Sequence, residues 1–441
     1  MSLFQKIRTA EWTTTINLII RGSTMVGKFL LVYFLADALT VEQYGVWGIF
    51  TTSISLSLYV VGLDFYTYST RRILDYPIEE RSPMLRDQLL FYLISYAILF
   101  PILALLFVFD VIEWRFAIFF YAILVFEHLA QESYRTFVVF SRPIIANIVL
   151  FLRSGVWAYL LILLWAGGVD ELQNLKAIYL FWIGGGITAL MVTLYFLAQF
   201  KFKPVRHIPV NWSWIGQGIR VSLLFFIGTV GYKIIEFADR YFIDFYHGKQ
   251  EVGVYTFYAS MCNMVETFVH TSVIIIFSPK LIESFHHSNY DYRKTHAQFA
   301  KKVFFYTIGI SIVLALVIIP LLNSLEEKEY IRAYPTFLVL VMAKVALNFS
   351  LVFHYILYVR KNDFPIIKAT LIAAVMNILL NFILIPPMGI MGAALATLAS
   401  FVVILLMKMY YSRNLPEARQ IIYLRFLRKK RKSKTNSNTE Q

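Results

Sequence analysis

Five basic and three acidic side chains lie deep inside long apolar runs of this chain: Arg21, Lys28, Arg153, Lys233 and Lys344, against Glu127, Glu236 and Glu266. Arg and Lys supply the charge-assisted hydrogen bonds that neutralise a phosphate or carboxylate. A carboxyl group in a low-dielectric site can instead exchange H⁺ or hold Na⁺, so the three acids are candidates for ion coupling, with service as counter-ions the other reading for each. Arg21 and Lys28 are seven residues apart and share one helical face, with no acid on that stretch to neutralise them. Lys233, Glu236 and Arg240 step by three and four, a ladder that can satisfy itself by ion pairing. Asn263, Glu266 and His270 form one polar stripe, and Lys344 and Asn348 another. Five bases against three acids leave two positive charges in excess, which suits an anionic cargo and repels an organic cation.

Only a membrane can explain the elements that carry these residues. Of 441 residues, 59% are hydrophobic and 15% charged, and the mean hydropathy is +0.63, values outside the soluble range. Taking about 20 apolar residues per crossing, twelve spans are expected near 13–37, 44–70, 88–109, 115–135, 143–166, 177–199, 218–243, 252–277, 301–322, 333–359, 364–386 and 389–411. The first apolar run is long and carries Arg21 and Lys28, so it reads as a retained span rather than a cleaved leader. Eight deep charges facing lipid would cost on the order of 24 kcal/mol, more than the roughly 5–15 kcal/mol that holds a protein folded. They must face protein or water. Other charges have milder explanations: Arg220, Lys368 and Lys408 sit near span ends and can snorkel, while Asp64 lies two turns from Arg71 and Arg72, and Glu132 one turn from Arg135, spacings that pair them.

Of the 41 Lys and Arg, 27 fall in or at the edge of segments that are cytoplasmic if both termini are, five fall in or at the edge of the opposite loops, and nine lie further within spans. That asymmetry places both termini in the cytoplasm. Segments 71–87 and 278–300 read as amphipathic interfacial stretches. The tail carries RFLRKKRK at 425–432, a topology-fixing segment that can also grip anionic lipid. Shifting the chain by 208 residues sets Tyr33-Phe34-Leu35 over Tyr241-Phe242-Ile243 and Gly45-Val46-Trp47 over Gly253-Val254-Tyr255. The fold class expected is therefore an all-α polytopic membrane protein of twelve transmembrane helices in two six-helix bundles, 1–205 and 206–411, followed by a basic tail, 412–441. Each bundle has an even number of spans, so the two are related by a pseudo-two-fold axis along the membrane normal and flank a cleft. No nucleic acid is expected as a partner, since no segment outside the membrane can present a basic reading face. One cysteine, Cys262, excludes a disulfide framework. No His cluster, nucleophile elbow or phosphate loop is present, and GIMGAA at 389–394 opens a span, so neither metal, cofactor nor enzymatic activity is expected.

Three stretches carry a family resemblance: LVYFLADALTVEQYGVWGIF (31–50), ADRYFIDFYHGKQEVGVYTFYASM (238–261) and NILLNFILIPPMGIMGAALATLAS (377–400). They resemble Wzx-type polysaccharide flippases of the multidrug/oligosaccharidyl-lipid/polysaccharide (MOP) exporter superfamily, the third most specifically through Asn377, Asn381, Pro386, Gly389, Gly392 and Ala393. The resemblance implies translocation of undecaprenyl-pyrophosphate-linked O-antigen or capsule repeat units to the outer leaflet of a bacterial inner membrane, with H⁺ or Na⁺ antiport and a polysaccharide polymerase nearby. It implies that Arg21, Lys28 and Arg153 belong to a cationic cavity, to which the deep-charge pattern adds Lys233 and Lys344, and it leaves Tyr33, Trp47, Tyr232 and Tyr255 as candidates for stacking on sugars. Drug-exporting relatives tend to carry an Asp in the first span, where this chain has Arg21 and Lys28. A drug antiporter of the same superfamily is thus the second reading, and a membrane enzyme acting on lipid-linked sugars the third.

Overall fold

A computed structural model of the chain describes residues 3–325 and 327–419, so the basic motif at 425–432 lies outside the described residues. Among the described residues every regular element is helical. Ten helices are long and apolar enough to cross a membrane. Two of them, Trp212–His286 and Asp363–Ser412, are of double length. An unbroken 75-residue helix would run about 110 Å, far beyond a hydrocarbon core of about 30 Å. Each is broken once by a glycine outside helical geometry, Gly248 at φ 82° and Gly389 at φ 54°, in the left-handed region that glycine enters freely. At the first break the chain turns back, and Tyr255 on one side donates its hydroxyl to Asp239 on the other. Counted on either side of these breaks the crossings number twelve, as expected. The helices run past the expected spans, and the stretch 278–300 is helical throughout except for a turn at Ser288, whose hydroxyl caps the next helix by accepting from the Asp291 N–H.

The chain divides into two compact units, one taking residues up to Val230 together with Lys249–Gly253, the other Gly231–Gly248 and the residues from Val254 on. In unit 1, Phe50 stacks on Tyr179 at 4.1 Å, and Ala130, Phe137, Ala146, Val149 and Ala189 pack a second core. Small residues there let helices approach closely, the rule for packing in lipid. The connection through 198–211 is bolted to this unit. Arg86 donates to the carbonyls of Val205, Ile208 and Pro209, while Asp87, paired with Arg86 at 2.6 Å, accepts the Asn211 N–H at 3.0 Å. Unit 2 has cores around Phe277, Phe299 and Phe353, and around Ala343, Ala373 and Phe401. Large apolar side chains such as Ile98, Ile118, Leu163, Leu316 and Phe382 are exposed, as lipid-facing positions require.

One close approach in unit 1 admits only glycine. A Cβ on Gly45 would lie 1.8 Å from the Lys249 carbonyl oxygen, and a Cβ on Gly253 would lie 2.0 Å from the Val41 carbonyl oxygen. The pairs 41/249 and 45/253 are both separated by 208 residues, so equivalent positions of the repeat cross backbone on backbone, reciprocally. Next to this crossing Thr40 closes a capping box with Gln43, which fixes where Val41–Gly62 begins.

Candidate functional site

In unit 1 the first span presents Arg21 and Lys28. Arg21 has no ion pair among the described residues: its Nε donates to Asn147 Oδ1 at 2.9 Å and its Nη2 to the Tyr134 hydroxyl at 2.5 Å, and Asn147 in turn donates to Asn17 at 2.6 Å. Lys28 is exposed and has no hydrogen bond or ion pair among the described residues; the charges that bear on it are Arg153 and Glu127. Arg153 sits on a π-turn, Leu152–Val156, in the middle of the fifth span. Such single-turn bulges re-aim a side chain without ending the helix and recur at functional sites. Its Nε lies 3.4 Å from Glu127 Oε2. Glu127 is held on its other oxygen by the Trp182 indole at 2.6 Å, and Trp157 donates to the Arg153 carbonyl at 2.9 Å. The rings of Trp47, Trp182 and Trp157 follow one another at 5.4 and 6.0 Å, an aromatic wall beside the charges. Of the eight deep charges marked out by sequence, unit 1 holds three bases and one acid.

Unit 2 gathers the remaining deep charges and balances them. Lys233 Nζ is 2.6 Å from Glu236 Oε2, the pair expected from their spacing. Arg240 pairs with Asp239 at 3.1 Å instead of continuing the ladder, and donates to the Glu236 carbonyl at 2.8 Å. Lys344 Nζ lies 2.7 Å from Glu266 Oε2, whose other oxygen accepts the Tyr232 hydroxyl at 2.6 Å. The Lys344 ammonium also rests 5.5 Å from the Phe401 ring. Asn381 donates to Asn377 at 3.1 Å, both side chains fully buried.

The structure therefore brings Lys28, Arg153 and Glu127 together, leaves Arg21 on a separate amide and phenol network, and sets Lys233 and Lys344 each against a carboxylate. All three acids of the sequence reading face a base. Trp157 and Trp182 were not singled out by sequence. Trp157 follows Arg153 by four and so shares its face, a signal that was available; Trp182 has no such mark. Asp64 does not pair with Arg71 or Arg72 as its spacing suggested, because Leu63 and Asp64 both turn left-handed at the end of the second span, and Arg72 pairs with Asp75 instead.

No family model matches the chain. A membrane protein of Methanocaldococcus jannaschii is 25% identical over 195 residues, 43% of this chain, so the chain spans little more than a third (38%) of that relative. Among solved structures, the lipid II flippase MurJ in an inward closed conformation matches with a TM-score of 0.64 and 15% identity, covering 90% of this chain and 87% of MurJ. The MATE multidrug transporter DinF-BH matches at 0.60 and 16%, covering 92% and 96%. An inward-facing MATE family transporter of the MOP superfamily matches at 0.59 and 13%, covering 88% and 97%. The chain has the fold of MOP-superfamily transporters. It is a multi-pass membrane protein with that architecture, and identities this low establish the fold alone.

Proposed function

We propose that the chain is a flippase for undecaprenyl-pyrophosphate-linked oligosaccharide repeat units, moving them from the cytoplasmic to the outer leaflet of a bacterial inner membrane by alternating access, with H⁺ or Na⁺ coupling. The observation that carries the reading is the pair of bases Lys28 and Arg153 against the single acid Glu127 in unit 1, with Arg21 held on a separate network of neutral groups. Flipping breaks no bond. The lipid tails can stay in the bilayer while a pyrophosphate meets Lys28 and Arg153. Both termini face the cytoplasm on this reading, and a polysaccharide polymerase is the partner that takes up the flipped unit.

A drug antiporter is the second reading, supported by the likeness to DinF-BH. The sign of the charge in unit 1 opposes it, since a cationic drug would meet three bases and one acid. The deciding experiment replaces Lys28 or Arg153 with Ala in protein inserted at normal levels. Lipid-linked repeat units then accumulate on the cytoplasmic leaflet and surface polysaccharide falls. Normal surface polysaccharide in both variants, or loss of cationic-dye efflux instead, overturns the proposal.

A further inference from the structure

Six acids are buried among the described residues: Asp64, Asp87, Glu127, Glu132, Asp239 and Glu417. Five sit in an ion pair, with Arg86, Arg153, Arg135, Arg240 and Arg360 respectively. Asp64 is 5% exposed and has no ion pair among the described residues. Arg135, whose charge bears on Asp64, is ion-paired with another acid. Arg135, from the fourth span, pairs with Glu132 and lies 3.5 Å from the centre of the Tyr66 ring; Glu132 also accepts from Gln88 at 2.9 Å and Tyr92 at 2.7 Å. His128 meets the Tyr96 hydroxyl through Nδ1 at 2.7 Å, and its buried Nε2 has no partner. The Thr229 side chain, from the seventh span, interacts with the Asp64 carboxyl, on which the charges of Arg135 and Glu132 also bear.

Its backbone is unusual as well. Leu63 and Asp64 are consecutive non-glycine residues at φ 45° and 50°. Strain of this kind persists where the surroundings over-determine it, and it clusters at functional positions. Here it lifts Asp64 off the helix that would have carried it toward Arg71 and Arg72. The result is a buried carboxylate with no direct ion pair among the described residues, on which the opposed charges of Arg135 and Glu132 both bear, and a carboxylate so placed can be neutralised reversibly by a proton.

Thr229 adds a consequence. It precedes Val230, the last residue of the seventh span that packs with unit 1, and glycines flank it at 228 and 231. We propose that Asp64 is a proton-binding site of the transport cycle and that Thr229 passes its charge state to the seventh span, a proposal that rests on the coupled-transport reading above. Ionised, Asp64 accepts from the Thr229 hydroxyl; on taking up one proton its carboxyl group becomes neutral and that hydrogen bond weakens. A buried carboxylate without a direct ion pair is neutralised by taking up one proton, so the ion proposed is H⁺.

The test is an infrared pH titration of the full-length protein in liposomes, following the protonated-carboxyl band. Asp64→Asn loses one titrating carboxyl relative to the unaltered protein, Asp64→Glu restores it at a shifted midpoint, and Thr229→Ala shifts the midpoint without removing the band. An Asp64→Asn curve that superimposes on the unaltered one overturns the site. A Thr229→Ala curve that superimposes overturns the link to the seventh span, and a band that responds to Na⁺ at fixed pH overturns the choice of ion. No substrate is present, so this outcome is separate from that of the lipid-pyrophosphate reading. In a second arm, with lipid-linked oligosaccharide supplied, an imposed pH gradient accelerates flipping by the unaltered protein and not by Asp64→Asn.

Discussion

Both compact units bury charged side chains in apolar surroundings, and they solve the same problem in opposite ways. Unit 2 pairs Lys233 with Glu236, Lys344 with Glu266 and Arg240 with Asp239, while Lys408, expected to snorkel, is buried without an ion pair among the described residues. Among the described residues, unit 1 leaves Lys28 without a hydrogen bond or ion pair and holds Arg21 by the neutral groups of Asn147 and Tyr134. Internal pairing makes a charge structural, because removing one member strands the other. A base supported only by neutral groups keeps its charge for something outside the protein. The two units thus differ less in how many charges they hold than in how many are already spoken for.

The largest effect expected is on transport. Replacing both Lys28 and Arg153 with Ala removes two charge-assisted contacts to the pyrophosphate, each worth about 1.5–3 kcal/mol, and flipping falls by roughly 100-fold or more. Lys233→Ala with Lys344→Ala produces no comparable loss per folded molecule, and an equal loss in both would abolish the distinction between the units. Stability shows the converse. Lys344→Ala strands Glu266 and costs about 2 kcal/mol, read as a lowered unfolding midpoint in detergent, while Lys344→Met with Glu266→Gln recovers most of it. Glu127→Gln raises the excess charge of unit 1 by one and tightens binding of a soluble pyrophosphate by a few-fold, measured by calorimetry; the same change at Glu266 weakens stability without tightening binding. The smallest effect is at Trp182→Phe, which keeps a ring but loses the hydrogen bond to Glu127, about 1 kcal/mol, visible as a modest rise in the substrate concentration for half-maximal flipping.

Local spacing made some of this legible in advance. Lys233 with Glu236 and Glu132 with Arg135 are three apart on continuous helix, and both pairs form. The twelve crossings followed from apolar length, which depends on the solvent and not on tertiary contacts. Arg240 departs from the ladder because its immediate neighbour Asp239 competes with Glu236, a choice that period counting does not resolve. Asp64 departs for a sharper reason: spacing arguments assume an unbroken helix, and two left-handed residues void the assumption. The meeting of Trp47, Trp157 and Trp182 joins three different spans, so nothing local encodes it.

The crossing of Gly45 and Gly253 carries a consequence of symmetry. Two copies of one segment that touch reciprocally reproduce the geometry of a two-fold dimer, where any change of residue acts twice. Within a single chain the two copies can be altered one at a time. Gly45→Ala drives a methyl group toward the Lys249 carbonyl, and Gly253→Ala drives one toward the Val41 carbonyl. Each substitution therefore strains one half of a symmetric joint and leaves the other half as an internal reference.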